Sequence, residues 1–298
     1  QWSNPSGFTG TMAIGNGLLM TVGSSAGAAS NNAHNLANAD FIVSGGSVLT
    51  VETGTAAVDT FDKLTIDSGT VALQGTLGFG ATTNELAQLV VGSLDAQQGA
   101  TLNVSMPGQN GNLTGSLAQT DLLTQNGSNP FQTLISTTEG ITGFENLQLS
   151  GGNSGSGLLQ DIVSGNTTVA TGHYDYELAS GNGGKDVGIS YTLTQVDIED
   201  NRTLTLTGTA DGSTLSAALT GSTSGELIVD GTKGSKVSLT GTNTYSGSTT
   251  VNAGVTLEAG VSGLGHTENL LVSGTYVNSG ANTIGGLTVD QNGELDLG

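Results

Sequence analysis

Asp197, Glu199 and Asp200 in the run VDIED form the most concentrated set of hard oxygen donors in the chain. Calcium-like cations gather several carboxylate and carbonyl oxygens, so this trio could hold one. Strand alternation gives a simpler reading, with Val196 and Ile198 pointing inward and Asp197 and Glu199 pointing to water. The stretch GNGGKD, residues 181–186, is one residue away from the calcium-binding nonapeptide of β-rolls. Those sites require tandem copies and this one occurs once, so it reads as a hairpin turn. In GNSGSG, residues 152–157, Ser154 has the glycine setting of a hydrolytic nucleophile, but Asn153 stands where such a motif carries Asp. A triad also needs a His base and an acid to orient it. His34, His173 and His266 lie in separate turn-rich contexts, so the stretch reads as a flexible loop. Polysaccharide lyases need basic residues around an enolate-like intermediate, and glycoside hydrolases need a local carboxylate cluster. Lys63, Lys185, Arg202, Lys233 and Lys236 are widely dispersed and the carboxylates mostly sit singly. The expectation is therefore no catalytic residue, no metal, no cofactor and no enzyme.

The charge balance narrows the partners. Five basic residues against 25 acidic ones give a formal charge of -20, which disfavours nucleic acid, heparin-like polyanions and anionic membranes. Without cysteine there is no disulfide framework, thiolate nucleophile or cysteine metal site. No run approaches the roughly 18 apolar residues of a membrane span. The amino end QWSNP lacks the charged start and apolar stretch of a signal peptide, so the chain reads as a mature, excised piece.

Whatever surface acts must be carried by short strands. Apolar residues recur at i and i+2 between Gly, Asn and Thr turns almost throughout, as in Leu64 and Ile66, Val71 and Leu73, Leu204 and Leu206, Leu227 and Val229, and Leu270 and Val272. Equivalent strands return at coil-like intervals: Leu73 to Val91, Leu206 to Val229, Leu239 to Leu257 and Val272 to Val289. Spacings near 20 residues indicate a solenoid, here an all-β parallel β-helix over residues 1–298. At roughly 20 to 23 residues per coil it would have on the order of 13 coils. Inward Leu, Val and Ile would form columns, and Thr, Ser and Asn would cover the outside.

Two stretches break the coil pattern. Residues 25–40 hold Asn31, Asn32, Asn35 and Asn38 without apolar pairing and read as a projecting loop. Residues 173–193 alternate cleanly around the turn-forming run ASGNGGKD and read as a hairpin. One hairpin face would carry Tyr174, Tyr176, Leu178, Val187, Ile189, Tyr191 and Leu193 and lie on the rod. The other, with His173, Asp175 and Glu177, would be exposed and acidic. The four asparagines together with Asp175 and Glu177 are the candidate ligand or self-association residues.

Residues 239–260, LTGTNTYSGSTTVNAGVTLEAG, closely resemble the passenger-associated repeat of autotransporter proteins. In that repeat Leu239, Tyr245, Val251 and Leu257 would pack inside, while Gly241, Gly247 and Gly254 would let the corners turn. The hairpin followed by TQVDI looks like an insertion common in AIDA-type passengers. The resemblance implies a right-handed, three-sided β-helix displayed on the bacterial surface and tethered by a carboxyl-terminal translocator barrel, which this sequence lacks. It further implies an adhesin acting in cell aggregation, biofilm formation and attachment. The partner would be a second copy of the chain or a host extracellular matrix protein or glycan. It transfers no binding residue, and a spacer or folding segment of a larger passenger fits the same motif.

Overall fold

A computed structural model describes residues 8–22, 35–52, 59–75, 86–105, 113, 115–126, 131–221 and 223–298 of the chain. Among the described residues it is all-β and built chiefly from parallel sheets, with one short α-helix at Leu122–Asn126 and 3-10 turns at Gln119–Asp121 and Phe144–Asn146. Where the sequence reads as one stack over 1–298, the contacts group into two compact units. The first comprises Gln1–Gly108, Phe131–Gly155 and Tyr176–Ser190, and the second Gln109–Pro130, Ser156–Asp175 and Tyr191–Gly298.

In the first unit, one parallel ladder runs through Gly10–Ile14, Asn35–Ser44, Asp59–Asp67, Leu89–Ala96 and Phe131–Thr142. A second runs through Leu19–Val22, Val48–Val51, Thr70–Leu73, Thr101–Val104 and Gln148–Leu149. Alternation sends one side of each strand inward, so register partners form continuous apolar columns. Leu49, Val71, Leu102 and Leu149 make one such column, each buried. Phe41 and Phe61, both buried, stack beside one another in this core with ring centroids 4.1 Å apart.

The second unit contains the ladders Thr203–Gly208, Glu226–Gly231, Thr249–Val251, Asn269–Val272 and Gly286–Val289 and Ser213–Leu215, Lys236–Leu239, Thr256–Ala259, Thr275–Asn278 and Glu294–Asp296. A third row of backbone hydrogen bonds runs from the strand Ala218–Gly221 through stretches that are not regular strands: Thr244 N–H to Leu219 O (2.8 Å), His266 N–H to Tyr245 O (2.9 Å) and Gly285 N–H to Thr267 O (3.0 Å). Leu122 and Leu123 of the short helix are buried in this unit. Among the described residues no helix is long and apolar enough to cross a membrane.

The coil spacings need correction. Leu206 does face Val229 and Val272 does face Val289. Leu73, however, faces Val104, and Val91 belongs to the other ladder opposite Phe61. Leu239 faces Ala259, and it is Val237 that faces Leu257. The apolar pairs repeat so closely that a neighbouring strand or the next inward position looks equivalent. The ladders that begin at Leu19–Val22, Thr203–Gly208 and Ser213–Leu215 are five-stranded sheets, whereas the one that begins at Gly10–Ile14 is part of a ten-stranded sheet.

Two stretches that read as loops also differ from expectation. Residues 25–34 lie outside the described residues, but residues 35–40 are not loop: they open the ten-residue strand Asn35–Ser44, burying Leu36 and Ala39. Four asparagines in eight residues mask that alternation in the sequence. Likewise, residues 154–157 of the presumed Gly/Ser loop begin the strand Ser154–Ser164. Asn153 forms the turn before it, its Oδ1 accepting from Leu149 N–H at 2.7 Å and its Nδ2 donating to Leu147 O at 3.2 Å. Gly155 is glycine because the Tyr176 ring lies where a Cβ would be.

Candidate functional site

The hairpin strands are Thr167–Gly181 and Asp186–Ile198, joined by a turn at residues 182–185 in which Asn182, Gly183 and Gly184 all have positive φ. Its apolar face is largely inward: Tyr174, Val187, Ile189, Tyr191 and Leu193 are buried, while Tyr176 and Leu178 are half-buried. The hairpin tip does not lie flat on a completed coil. In the first unit it extends a sheet edgewise, with residues 186–190 pairing antiparallel to residues 131–136. The Phe131 ring crosses Gly181 and Gly188, leaving no room for a side chain on either, and Lys185 Nζ donates to Thr138 O at 2.9 Å.

Asp175 and Glu177 are exposed, as the alternation requires. The unit boundary passes between them, so they are placed in different units. Asn38 is exposed on its strand in the first unit, Asn35 begins that strand, and Asn31 and Asn32 lie outside the described residues. The six candidate residues therefore do not form a described site.

Around the base of the hairpin, in the second unit, His173 Nε2 lies 3.0 Å from Asp197 Oδ2. Gln195 Nε2 donates to Asp197 Oδ1 at 3.1 Å, and Thr171 Oγ1 donates to Glu199 Oε1 at 2.9 Å. Val196 and Ile198 are buried between these polar residues. Of the VDIED carboxylates Asp197 lies in the strand while Glu199 and Asp200 follow its end, and each takes a hydrogen bond from a neighbour. Among the described residues no three His, Cys, Asp or Glu side chains converge as a metal site.

The most developed polar surface was not singled out from the sequence. On the outward side of the ladder that begins at Ser213–Leu215, register places Thr214, Ser238, Glu258, Val277 and Asp296 in one row. Lys236, Thr256, Thr275 and Glu294 form the adjacent row. Glu258 is the hub: Oε2 pairs with Lys236 Nζ and accepts from Ser238 Oγ at 3.2 Å, while Oε1 accepts from Ser279 Oγ at 3.1 Å. The Lys236 ammonium, then the Ser279 hydroxyl, hold this carboxyl below the usual range for glutamate. Thr214, Ser238, Thr240, Glu258, Gly260 and Ser279 line a shallow groove of about 290 Å³. On the neighbouring ladder Thr203 Oγ1 donates to Glu226 Oε2 at 3.2 Å across one rung.

The first unit carries sparser versions of the same arrangement. Asp40, Lys63 and Ser93 face one another across three strands, and Lys63 Nζ lies 3.8 Å from Asp95 Oδ2. On the other ladder Ser150 Oγ donates to Asn103 Oδ1 at 2.9 Å. Only polar residues at the outward offset of successive strands signal such rows, and without the ladder partners that offset is not readable.

The chain is 31% identical over 280 residues to a protein of Escherichia coli (strain K12) described as uncharacterized protein YuaQ. The match takes in 90% of this chain and 20% of that protein, so the chain spans about a fifth of the length of the curated relative it matches. No family model matches the chain. No solved structure matches it.

Proposed function

We propose that this chain is part of the surface-displayed passenger of a bacterial autotransporter adhesin, a right-handed, three-sided parallel β-helix. In the full-length protein it would be anchored by a translocator barrel in the outer membrane, with the adhesive surface outside the cell. Its role is cell aggregation, biofilm formation and attachment through the outward faces of its coils, without catalysis or cofactor.

One observation carries this reading: hydroxyl, amide and carboxylate side chains occupy outward positions rung after rung and bond across the rungs, as at Ser238, Glu258 and Ser279. Such rows offer many modest hydrogen bonds at a fixed strand spacing of about 4.8 Å. A second rod with the same spacing would meet them repeatedly, so avidity would offset the weakness of each contact. The repeat at residues 239–260 supports the passenger assignment, since Leu239, Tyr245, Val251 and Leu257 are all fully buried as that motif requires.

Sedimentation velocity across protein and salt concentration, beside clumping of cells displaying the chain, tests the proposal. Two copies of charge -20 repel one another. Salt screens that repulsion over about 8 Å at physiological strength, so association and clumping should both rise with ionic strength. A strictly monomeric chain with no clumping would remove self-association. The exposed Asp175 and Glu177 favour a second reading, in which an acidic surface meets basic patches on a host matrix protein such as fibronectin, collagen or laminin. A matrix-protein binding panel would then decide between that partner and a spacer.

A further inference from the structure

The interior of the second unit contains polar groups that its aliphatic neighbours do not require. Leu227, Thr249 and Leu270 occupy equivalent buried positions in three successive strands, so Thr249 interrupts a column of leucines. It is fully buried, as are Tyr245 and Thr267. Thr267 Oγ1 donates to Gly247 O at 2.7 Å. With that proton committed, the 2.7 Å contact between Thr249 and Thr267 must run from the Thr249 hydroxyl. The 2.8 Å contact between Tyr245 and Thr249 must then run from the Tyr245 phenol. The chain is directional, from Tyr245 through Thr249 and Thr267 to a backbone carbonyl; Tyr245 finds its partner four residues on, Thr249 reaches forward 18 residues and Thr267 reaches back 20.

Asn243 extends the same dependence. Its side chain is 2% exposed. Oδ1 accepts from Leu219 N–H at 2.6 Å and Nδ2 donates to Gly263 O at 2.6 Å, so one amide is bonded to the coil before it and the coil after it. Asn282, two coils later, accepts from Leu264 N–H and donates to Gly260 O, both at 3.0 Å, tying its coil to the one before it.

The aliphatic columns cannot supply this selectivity. Leu204, Leu227 and Leu270 are interchangeable, as are Leu206, Val229, Val251 and Val272 in the adjacent column. Looping out one coil and stacking its neighbours directly would again set leucine against leucine or threonine and valine against leucine or valine. Expelling the coil that carries Thr249 would set Leu227 on Leu270 and leave Asn243, Tyr245 and Thr267 as buried polar groups without these partners, which is strongly disfavoured. We infer that this buried hydrogen-bond chain is a register lock. It selects one stacking order among chemically similar coils, in the way a single buried polar residue fixes register in other repetitive assemblies.

The chain has no native cysteine, so disulfide trapping can read the stacking order directly. Outward Ile228 faces Thr250 in the native register, whereas it would face Leu271 only if the intervening coil were expelled. The first pair is Ile228→Cys with Thr250→Cys, and the second Ile228→Cys with Leu271→Cys. In the parent chain the first pair should cross-link and the second should not. In a Thr249→Val/Thr267→Val background, which preserves side-chain shape, the second product should rise at least tenfold. Thr267→Val alone should raise it by a smaller factor. An unchanged cross-linking pattern in both backgrounds would overturn the inference. So would loss of both products, because the polar chain would then hold the coils up without selecting among their orders.

Discussion

The two units use the same kind of strand to different effect. In the first, the intervals between register partners are uneven: Phe41 faces Leu64 after 23 residues, Leu64 faces Leu94 after 30, and Leu94 faces Ile141 after 47. In the second they are regular, with Leu204 facing Leu227 after 23, Leu227 facing Thr249 after 22, and Thr249 facing Leu270 after 21. The cores differ in parallel. The first unit places a stacked phenylalanine pair among its aliphatic columns, while the second threads a tyrosine, two threonines and an asparagine through its own. Uneven coils with distinctive large residues pack in one order by shape. Even coils of similar composition need directional bonds to achieve the same specificity.

Removing shape from the first unit should have the largest effect. Phe61→Ala opens a cavity beside Phe41 and is expected to cost about 3–5 kcal/mol in urea unfolding. A loss below about 1 kcal/mol would mean that the ring stack does not organise that core. Next comes the close stacking of the second unit. A methyl at Gly247 would coincide with the Gly225 carbonyl, so Gly247→Ala should cost about 3 kcal/mol, whereas Gly151→Ala in the first unit meets open space and should cost less than about 0.5 kcal/mol. Similar midpoints for the two glycine variants would contradict the tight coil-to-coil approach.

Alkaline titration separates the hydroxyl chain from an inert core. Burial pushes the phenols of Tyr245, Tyr174 and Tyr191 up, and that of Tyr276 to about 12. A phenol raised on folding contributes stability up to its unfolded value near pH 10, and that contribution is lost as pH climbs toward the folded value. For Tyr245 the effect is about 1.4 kcal/mol for each pH unit of the shift. Tyrosinate absorbance above pH 10 should therefore appear together with loss of β structure. Smooth ionisation of every tyrosine in an intact fold would show that these phenols are accessible.

The smallest effect belongs to the outer surface. The Glu258 carboxyl is held low by Lys236, so its contribution is present above about pH 4.3 and disappears as pH falls through the lower folded value. The pair is partly exposed and screened, so Glu258→Gln should cost no more than about 0.5 kcal/mol at pH 7 and flatten the acid limb of the stability curve. An undiminished acid limb in that variant would assign the pH dependence to other carboxylates.

Much of this arrangement was legible from residue order. Alternation in pairs such as Leu204 and Leu206 identifies the inward side, and the clean alternation of residues 173–193 around GNGGKD marks the hairpin. Strand identity was less secure where polar or glycine residues dominate, which is why the strands opening at Asn35 and Ser154 read as loops. Gly241 and Gly247 were correctly marked as special, although for a different reason. They sit where the preceding coil's backbone would meet a Cβ, and only Gly254 of the three needs the positive φ of a turning corner.

By itself the sequence determined the strand class, the inward residues and the acidic, cysteine-free surface, because these follow from a two-residue period and from composition. Only the tertiary structure decided which strand faces which, since neighbouring apolar pairs are chemically equivalent until the intervening chain is folded. It also decided that Asn243, Thr249 and Thr267 are interior and Ser238, Glu258 and Ser279 exterior or half-buried. Polar residue types carry no inward or outward label, and a hydrogen-bond partner some 20 residues away becomes a neighbour only when one coil lies on the next.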